Sequence, residues 1–485
     1  MGLKSASGLT ARRVESPLRY HLRLILIAWI FGSFWLWIIN GAAMTRFARG
    51  LGTPDWAFGL LALIPPLAGI LQLPASIILE HFGRRKQIFI ISLTLSRLAW
   101  VVLAAIPWVL PNAQALWWPM MMAAIFVSWS CNSLGGPAYM NWMAHVIPAS
   151  LRGRFFGIRN RIGQITGIVT TLGVGLLMDM ASSVGQMTEL DVHQIMLITT
   201  SILIALAGLV GILDIQTFER VPDDNAPPGR KITNWGKYLL QPFKDVSFRW
   251  FLLYIFTLWL GIGALGQYLW LYLFDIIRMD NRTANALVIA VPLAIFAFAY
   301  PIWGRMIDRA GCRPVMIIAS IISSLGGIGW ICVQPDLIWP GYLLVAFSLL
   351  AWPGVESANF NMLLGLAGSS KGGGAYVALH ALAVGIGGIA SGIGASMLAG
   401  QLVDKRWTLP GLDLIITYHS IIFLLSFLLR FGAIFFALRI HEPRAHPTQQ
   451  VVRDMGSTLH ANVRSVVMLP NRMFNEMARR VYRDK

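Results

Sequence analysis

Charged residues are scarce in this chain of 485 residues: they make up 13% of it, whereas 56% of the residues are hydrophobic. A soluble protein would carry about a quarter charged residues. The deficit excludes an ordinary soluble domain. Apolar runs of about 20 residues recur along the whole length, and each is long enough to cross a bilayer. The composition therefore predicts a polytopic helical membrane protein in contact with membrane lipid.

Cysteine is also rare, and the three cysteines form no CxxC pair. They indicate neither a disulfide framework nor a metal site. No metal-ligand spacing relates the histidines that lie in or near the apolar runs, His145, His380 and His419. The sequence contains no recognisable nucleotide-binding loop. We therefore expect no metal, no cofactor and no enzymatic activity.

Acidic residues are outnumbered: 22 Asp and Glu stand against 39 Lys and Arg, which gives a net charge of +17. Such a surplus could serve nucleic-acid binding. Most of the basic residues, however, fall on one predicted side of the membrane, which is the positive-inside pattern. We therefore expect no nucleic-acid partner. Both termini are predicted to be cytoplasmic, in a bacterial cytoplasmic (inner) membrane.

The order of apolar and polar segments predicts an all-α protein of twelve transmembrane helices in two pseudo-symmetric six-helix bundles. A basic tail at 1–21 precedes the first bundle at 22–218, and a polar linker at 219–248 joins it to the second bundle at 249–438. Residues 439–485 form a basic tail with the pattern of an amphipathic helix on the membrane surface. Docking of this tail on a protein partner is the alternative.

Several helix boundaries are predicted from the hydropathy pattern. The first helix is expected at 21–44, the second at 56–81, the tenth at 338–366 and the twelfth at 412–438. The basic stretch at 149–161 is expected to be an inner loop.

Two similar basic turns, one in each half, support duplication of the bundle. The first reads SIILEHFGRRK, from Ser76 to Lys86, and the second reads GRMIDRAGCRP, from Gly304 to Pro314. Each follows one apolar run and precedes the next. The residues that align are Glu80 with Asp308, Gly83 with Gly311 and Arg85 with Arg313, and elsewhere Asn141 with Asn361.

These turns resemble the G-x-x-x-D-R-x-G-R-R motif of the major facilitator superfamily, which joins the family's second and third helices and recurs more weakly after the eighth. The second copy here is the more complete, with Gly304, Asp308, Arg309, Gly311 and Arg313. The first has Ser76, Glu80 and His81 at substituted positions and keeps Gly83, Arg84 and Arg85. The segment VIPASLRGRFFGIRN, with Arg152 and Arg154, is similar to the family's turn between its fourth and fifth helices.

The resemblance covers about residues 20 to 440 and implies two bundles that rock around a central cavity. The turns would then act as a conformational latch at the inner ends of the helices. A carboxylate there can pair with a guanidinium group and face a helix N-terminus, where the helix dipole favours negative charge. The alternative is a plain topology signal with a turn glycine. The patterns of drug–proton antiporters and sugar porters are missing, which weakens both assignments.

Ionisable residues at membrane depth are costly and therefore functional candidates. Glu356, in AWPGVESANFNML, is the candidate proton-coupling group, because burial disfavours the charged form of a carboxyl group. A structural hydrogen bond is the alternative. Arg97 could attract an anionic substrate or bind backbone carbonyls, since no acid in the first half is predicted at a matching depth. Arg430 is expected to snorkel to the inner surface.

Uncharged polar groups complete the candidate substrate cavity, and the resemblance places most of them on cavity helices. Interhelical hydrogen bonding is the alternative for each of them. The aromatic run FWLWIIN, from Phe34 to Asn40, could stack on an organic ligand or pack against helices and lipid. Glycines between Gly385 and Gly394 are expected to allow close helix contact. The polar candidates are Asn40, Asn132, Asn141, Gln164, Gln267, Tyr268, Asn359 and Asn361.

The sequence thus predicts a secondary active transporter of a small organic solute, with the proton as a candidate coupling ion. Two alternatives remain: a non-transporting assembly or scaffold protein with the same fold, and a membrane sensor that binds a ligand without moving it. A central, solvent-accessible cavity lined by Glu356 and the amides would favour transport, whereas a centre filled by Trp and Phe, or by a stably bound lipid or pigment, would favour scaffolding.

Overall fold

A computed structural model provides the fold. It describes residues 17–72, 74–75, 84–147, 149–187, 191–222, 240–263, 265–335, 337–368, 373–409, 414–442 and 446–450. Nearly all of these residues are helical. Most of the predicted linker, the amphipathic part of the C-terminal tail and the first hinge residues up to Gly83 lie outside the described residues.

The N-terminal half is built from helices alone in its described part. Its apolar side chains pack into two core clusters, one around Phe47 and Trp100 and the other around Phe89 and Trp142. The helices are α1 (Pro17–Ile39), α2 (Ala42–Gly50), α3 (Asp55–Gly69), α4 (Arg85–Val109), α5 (Gln114–Val146), α6 (Ala149–Met187) and α7 (Val192–Glu219).

The C-terminal half repeats the plan with more interrupted helices and a small hairpin. Its helices are α8 (Val246–Ile262), α9 (Leu265–Leu271), α10 (Asn281–Asn285), α11 (Val291–Ala310), α12 (Cys312–Cys332), α13 (Ile338–Leu349), α14 (Trp352–Gly368), α15 (Gly373–Leu402) and α16 (Tyr418–Ala437). The antiparallel hairpin pairs β1 (Trp407–Leu409) with β2 (Leu414–Ile416).

Ten helical segments in the described part of the chain are long and apolar enough to cross a membrane. The apolar helix α3 is shorter, and α5 is 33 residues long. This confirms a nearly all-helical membrane bundle, whereas the exact count of twelve stays a prediction. A helix satisfies its own backbone hydrogen bonds, which is why apolar spans in lipid become helices.

Three predicted boundaries are wrong. The first predicted helix is two helices, because the chain turns at Asn40 and Gly41. The hydropathy pattern predicts an outer loop around Arg46 and Arg49, but both residues lie on α2. The basic stretch at 149–161 is the beginning of α6 and not a loop. The last helix begins at Tyr418, after the hairpin, rather than at residue 412.

Helices of the C-terminal half are broken where the sequence predicts continuous spans. Wider π-helical turns at Tyr272–Ile276 and Ala286–Ala290 interrupt the seventh and eighth helices, which the hydropathy pattern predicts at 249–275 and 284–308. The tenth predicted helix breaks between α13 and α14, where Pro353 occupies the first turn of α14. Proline is tolerated there because a first-turn amide has no intrahelical partner.

The two halves meet most closely along α3 and α15. A Cβ atom added to Gly392 would lie 2.6 Å from the carbonyl oxygen of Gly59, and one added to Gly388 would lie 2.8 Å from Pro66. Gly387 faces α8 instead, 2.6 Å from the carbonyl of Phe256 by the same measure. The glycines of α15 therefore permit close helix contact, as expected, on two sides of the helix.

Candidate functional site

One end of the bundle, called here the gate end, is closed by polar contacts between the two halves. Arg49 of α2 pairs with Asp55 of its own half at 2.6 Å and with Asp275 of the other half. The hydroxyl of Tyr418 donates to the second oxygen of Asp55 at 2.5 Å. These four residues, named the gate cluster, join the halves twice through one arginine and one carboxylate.

Arg49 keeps its positive charge in the gate cluster. Burial lowers the pKa of Arg49, but the charges of Asp275 and Asp55 and their hydrogen bonds more than offset this and hold the pKa above its ordinary value. Arg49 therefore stays charged at every physiological pH. The pair is only partly shielded from solvent, since the side chains of Arg49 and Asp275 are 29% and 36% exposed.

A second contact at the gate end places Asp179 of α6 at the N-terminus of α10. Its carboxylate accepts hydrogen bonds from the backbone amides of Asn281 and Arg282, at 3.0 and 2.9 Å, and from the Asn281 side chain. Negative charge is favourable there because the helix dipole and free amides both point at it. Arg46 of α2 donates to Asn281 Oδ1 at 2.9 Å.

Close backbone approach supports the same closure. A Cβ atom on Gly175 of α6 would lie 2.6 Å from Cα of Arg282, so no larger residue fits between these segments as they stand. Asn285 accepts a hydrogen bond from the amide of Ala42 and donates one to the carbonyl of Thr171. Two elements of the N-terminal half, α2 and α6, thus meet α10 at the gate end.

A cavity of about 340 Å³ lies beneath the gate end. Trp37 of α1 faces it from the N-terminal half, and helices of the C-terminal half form the rest of its wall. The indole of Trp37 donates to the carbonyl of Gly163 at 3.2 Å, which fixes the ring against α6. The cavity is in the usual range for small-molecule sites, about 300–1,000 Å³. Its most distinctive lining residues are Trp37, Phe296, Trp330, Ser348, Trp352 and Arg430.

Glu356 lies one helical turn from this cavity. Phe296 and Trp352 line the cavity, and four residues further along their helices stand Tyr300 and Glu356. Residues four apart share a helix face. The Tyr300 hydroxyl donates to Glu356 Oε2. The expected burial of Glu356 is not observed, because its side chain is exposed on this face.

At the opposite end, called the hinge end, the turn between α11 and α12 depends on Gly311. This residue has φ 93° and ψ 169°, a conformation open to glycine alone at low cost. Asp308 is exposed and makes no ion pair among the described residues. The carboxylate at the α12 N-terminus is that of Glu442, which accepts from the amides of Cys312 and Arg313.

Basic residues of both hinge turns cap helix C-termini. Arg313 donates to the carbonyl of Leu438 at the end of α16, and Lys86 donates to the carbonyl of Glu219 at the end of α7. Unpaired carbonyls at a helix end favour such cations. Arg85 is buried, and Arg84 and Arg309 are exposed. Of the predicted latch, Glu80 and Gly83 lie outside the described residues, as do the side chains of Arg152 and Arg154.

Arg97 has an acidic partner, contrary to the sequence prediction. Asp214 of α7 lies 3.4 Å from its guanidinium group, and both side chains are buried. The guanidinium also stacks 3.4 Å from the ring of Trp35, and a Cβ atom on Gly211 would clash with the arginine. Arg97 is thus part of the interior of the N-terminal half and does not line the cavity beneath the gate end.

Arg430 does not snorkel. Its side chain is 7% exposed, lies in the cavity wall and donates to the carbonyl of Ser323 on α12. Its Nε is buried without a hydrogen-bond partner among the described residues. A buried cation that faces a cavity is the strongest electrostatic feature of the site.

The polar candidates predicted from sequence lie elsewhere than the cavity wall, apart from those whose side chains are not described. Asn40 and Asn361 are exposed and bond to carbonyls of their own helices, at Leu36 and Ser357. Tyr268 is buried against the ring of Tyr418 near the gate cluster. Asn132, Gln164, Gln267 and Asn359 are half-buried, and the side chain of Asn141 is not described.

Sequence reasoning missed the gate residues Arg49, Asp55, Asp275 and Asp179. A signal was present, since carboxylates are few and these three acids all fall at the predicted outer ends of apolar runs. It also missed Arg430 as a site residue. Its cavity wall is assembled from segments that are far apart in the chain.

The fold and the site define a class: a membrane carrier of two helical halves that is closed at one end. Its cavity has the size of a small molecule and is lined mainly by the C-terminal half. The comparison with family profiles gives the same result, because the profile of the Major Facilitator Superfamily matches residues 25–392. The chain belongs to this superfamily. A search of curated protein sequences found no match.

Solved structures with this fold are distant in sequence. The nucleoside transporter NupG is similar with a TM-score of 0.60 and 13% identity, over 88% of this chain and 99% of that one. A bacterial homologue of the human lysosomal transporter Spinster, inward-facing and unoccupied, gives 0.60 and 14%, over 89% and 100%. A D-xylose–proton symporter gives 0.61 and 15%, over 87% and 98%. At such identities the likeness establishes the fold alone.

Proposed function

We propose that this protein is a secondary active transporter that moves a small organic solute by alternating access. The observation that carries the proposal is the combination of an open cavity with a polar closure between the halves at one end. A scaffold protein has no need of either feature. The cavity is lined by aromatic rings and not by Glu356 or the predicted amides, but the rings do not fill it, which supports transport over the scaffold alternative.

The gate end is proposed to face the outside of the cell. The described residues at the hinge end carry the basic turns, and basic residues gather on the cytoplasmic side. With the gate cluster closed, this conformation is the inward-facing one. Asp308 makes no ion pair among the described residues, which supports this, since a latch that holds the inner ends together must be broken in that state. The comparison with outward-facing protein would test the latch directly.

Proton coupling through Glu356 is the finer part of the proposal. The carboxylate is exposed one helical turn from the cavity, and the Tyr300 hydroxyl donates to it. Proton binding would break this hydrogen bond or reverse its direction, which gives the side chain two distinct arrangements. A position one turn from the cavity lets solute and proton influence each other.

Solute counterflow and pH-driven flux in proteoliposomes test the proposal. We expect Glu356→Gln to abolish the response of net flux to an imposed pH gradient while exchange of solute across the membrane persists. Tyr300→Phe should retain the response in weakened form, because the carboxylate remains. Unchanged pH-driven flux in Glu356→Gln would refute the coupling role, and absence of any counterflow in native protein across a solute panel would contradict transport.

A further inference from the structure

The cavity beneath the gate end has one charged residue among its described lining residues, and that residue is a cation. Arg430 is the sole ionisable side chain with a formal charge among the described residues that line the cavity. Its nearest structural partners are neutral: the carbonyl of Ser323 accepts from the guanidinium, and Tyr254 lies in the same interior. The described ion pairs involve only Arg49 and Arg97 as cations.

A buried cation without a counterion is costly. Removal of one partner from a buried ion pair is strongly destabilising, because the remaining charge is desolvated and unpaired. The N-terminal half shows how this chain handles such a charge elsewhere, since Arg97 is paired with Asp214. The equivalent interior of the other half supplies no carboxylate within the described residues. An anionic ligand would supply it.

The remaining wall describes the body of that ligand. Trp37, Phe296, Trp330 and Trp352 present aromatic rings, and the other lining residues are mostly aliphatic. Rings of this kind bury flat apolar groups well and stack at centroid distances of about 4.5–7 Å. Hydrogen-bonding groups suited to a sugar ring are few, because the Ser348 hydroxyl donates to the carbonyl of Val345 at 2.7 Å.

We infer that the cavity binds a small aromatic carboxylate, with its ring among the tryptophans and its anionic group on Arg430. This inference rests on the proposed transport function for its biological meaning, but the binding site stands on its own geometry. A guanidinium group binds a carboxylate through charge-assisted hydrogen bonds, which are among the stronger polar contacts in proteins. Arg430 lines the cavity, and its Nε has no hydrogen-bond partner among the described residues.

Equilibrium binding to the purified full-length protein tests the inference. Indole-3-carboxylate is the first ligand, and indole-3-carboxamide is its neutral match of nearly equal shape. We expect the acid to bind about ten- to hundredfold more tightly than the amide, because the amide lacks the charge that strengthens a hydrogen bond to Arg430. Equal affinities, or no binding of the acid, would overturn the inference.

Variants locate the preference for the acid. Arg430→Gln should abolish the difference between acid and amide, whereas Arg430→Lys, which keeps the charge, should retain part of it and guards against simple misfolding. Arg305→Gln is the matched control, because Arg305 is an exposed arginine of α11 outside the cavity wall. A preference that survives both Arg430 variants unchanged would place the anion elsewhere and overturn the inference.

A failure of the proposed binding site can be distinguished from a failure of the proposed transport function. Binding of the acid without counterflow in proteoliposomes would support the site and contradict transport. Counterflow of a neutral solute with no effect of Arg430→Gln would support transport and contradict the site.

Discussion

The closed gate depends on the ion pair between Arg49 and Asp275, which a single isosteric substitution removes. Asp275→Asn keeps the size of the side chain and takes away the charge that Arg49 meets across the two halves. The other bonds of Arg49, to Asp55 and to the carbonyl of Thr53, lie within its own half and remain. The variant therefore weakens closure without altering either bundle's interior.

The expected magnitude follows from exposure. Both side chains are about a third exposed, so the pair contributes at most about 1 kcal/mol to closure after solvent screening. A change of 1 kcal/mol alters a two-state ratio about fivefold. We expect the population with an open gate to rise up to about fivefold in Asp275→Asn. Arg49→Gln should add little in the double variant, because the two changes remove the same contact.

Cysteine modification measures this population. Val288 lines the cavity, so Val288→Cys in a background without the native cysteines reports access from the gate side to a membrane-impermeant maleimide in whole cells. Arg282→Ala is the matched control: an arginine at the same end, whose described contact with Asp179 is made by its backbone amide. Equal labelling rates in Asp275→Asn and this control would refute the gate role.

Two further predictions concern packing and burial. Gly392→Ala should hinder closure of the halves and raise gate-side labelling, because the added methyl group meets the backbone of α3, whereas Gly394→Ala, with open space at its Cβ position, should behave as native protein. Arg97→Met should lower the free energy of unfolding in detergent by about 3–5 kcal/mol, since it leaves the buried carboxylate of Asp214 unpaired. Replacement of both partners by apolar residues should recover most of this loss. A double variant that is no more stable than Arg97→Met would contradict the reasoning.

The sequence predicts the membrane bundle well because lipid leaves the backbone few choices. Long apolar runs must become helices, and the repeated turn at Gly311 requires a residue that accepts positive φ. These are local constraints that a single segment expresses. The duplicated architecture and the family therefore follow from the hydropathy pattern and the hinge motif.

The site depends on contacts that no single segment expresses. Arg49 meets Asp275, and Asp55 meets Tyr418, across hundreds of residues. The pairing of Arg97 was missed because counting residues from the helix ends puts Asp214 at another depth, and a long arginine side chain spans such a difference.

Glu356 shows how a break changes a helix face. The sequence predicts one helix at 338–366, so that residues at helical spacing keep their direction throughout. The interruption at Leu350 and Ala351 resets that direction for α14. Within α14 the carboxylate of Glu356 is exposed, whereas Oδ1 of Asn359, three residues on, is buried. Periodicity alone cannot locate such a break without the packing around it.

The position of Trp37 has a consequence for the division of labour between the halves. Every other described residue that lines the cavity belongs to the C-terminal half, so a solute bound there would stay at rest relative to that half. In the proposed alternating access, the N-terminal bundle would be the moving wall that uncovers this solute first on one side and then on the other. Changes of chemistry in the C-terminal half would redefine what is carried, and changes in the N-terminal half would set how often the wall moves.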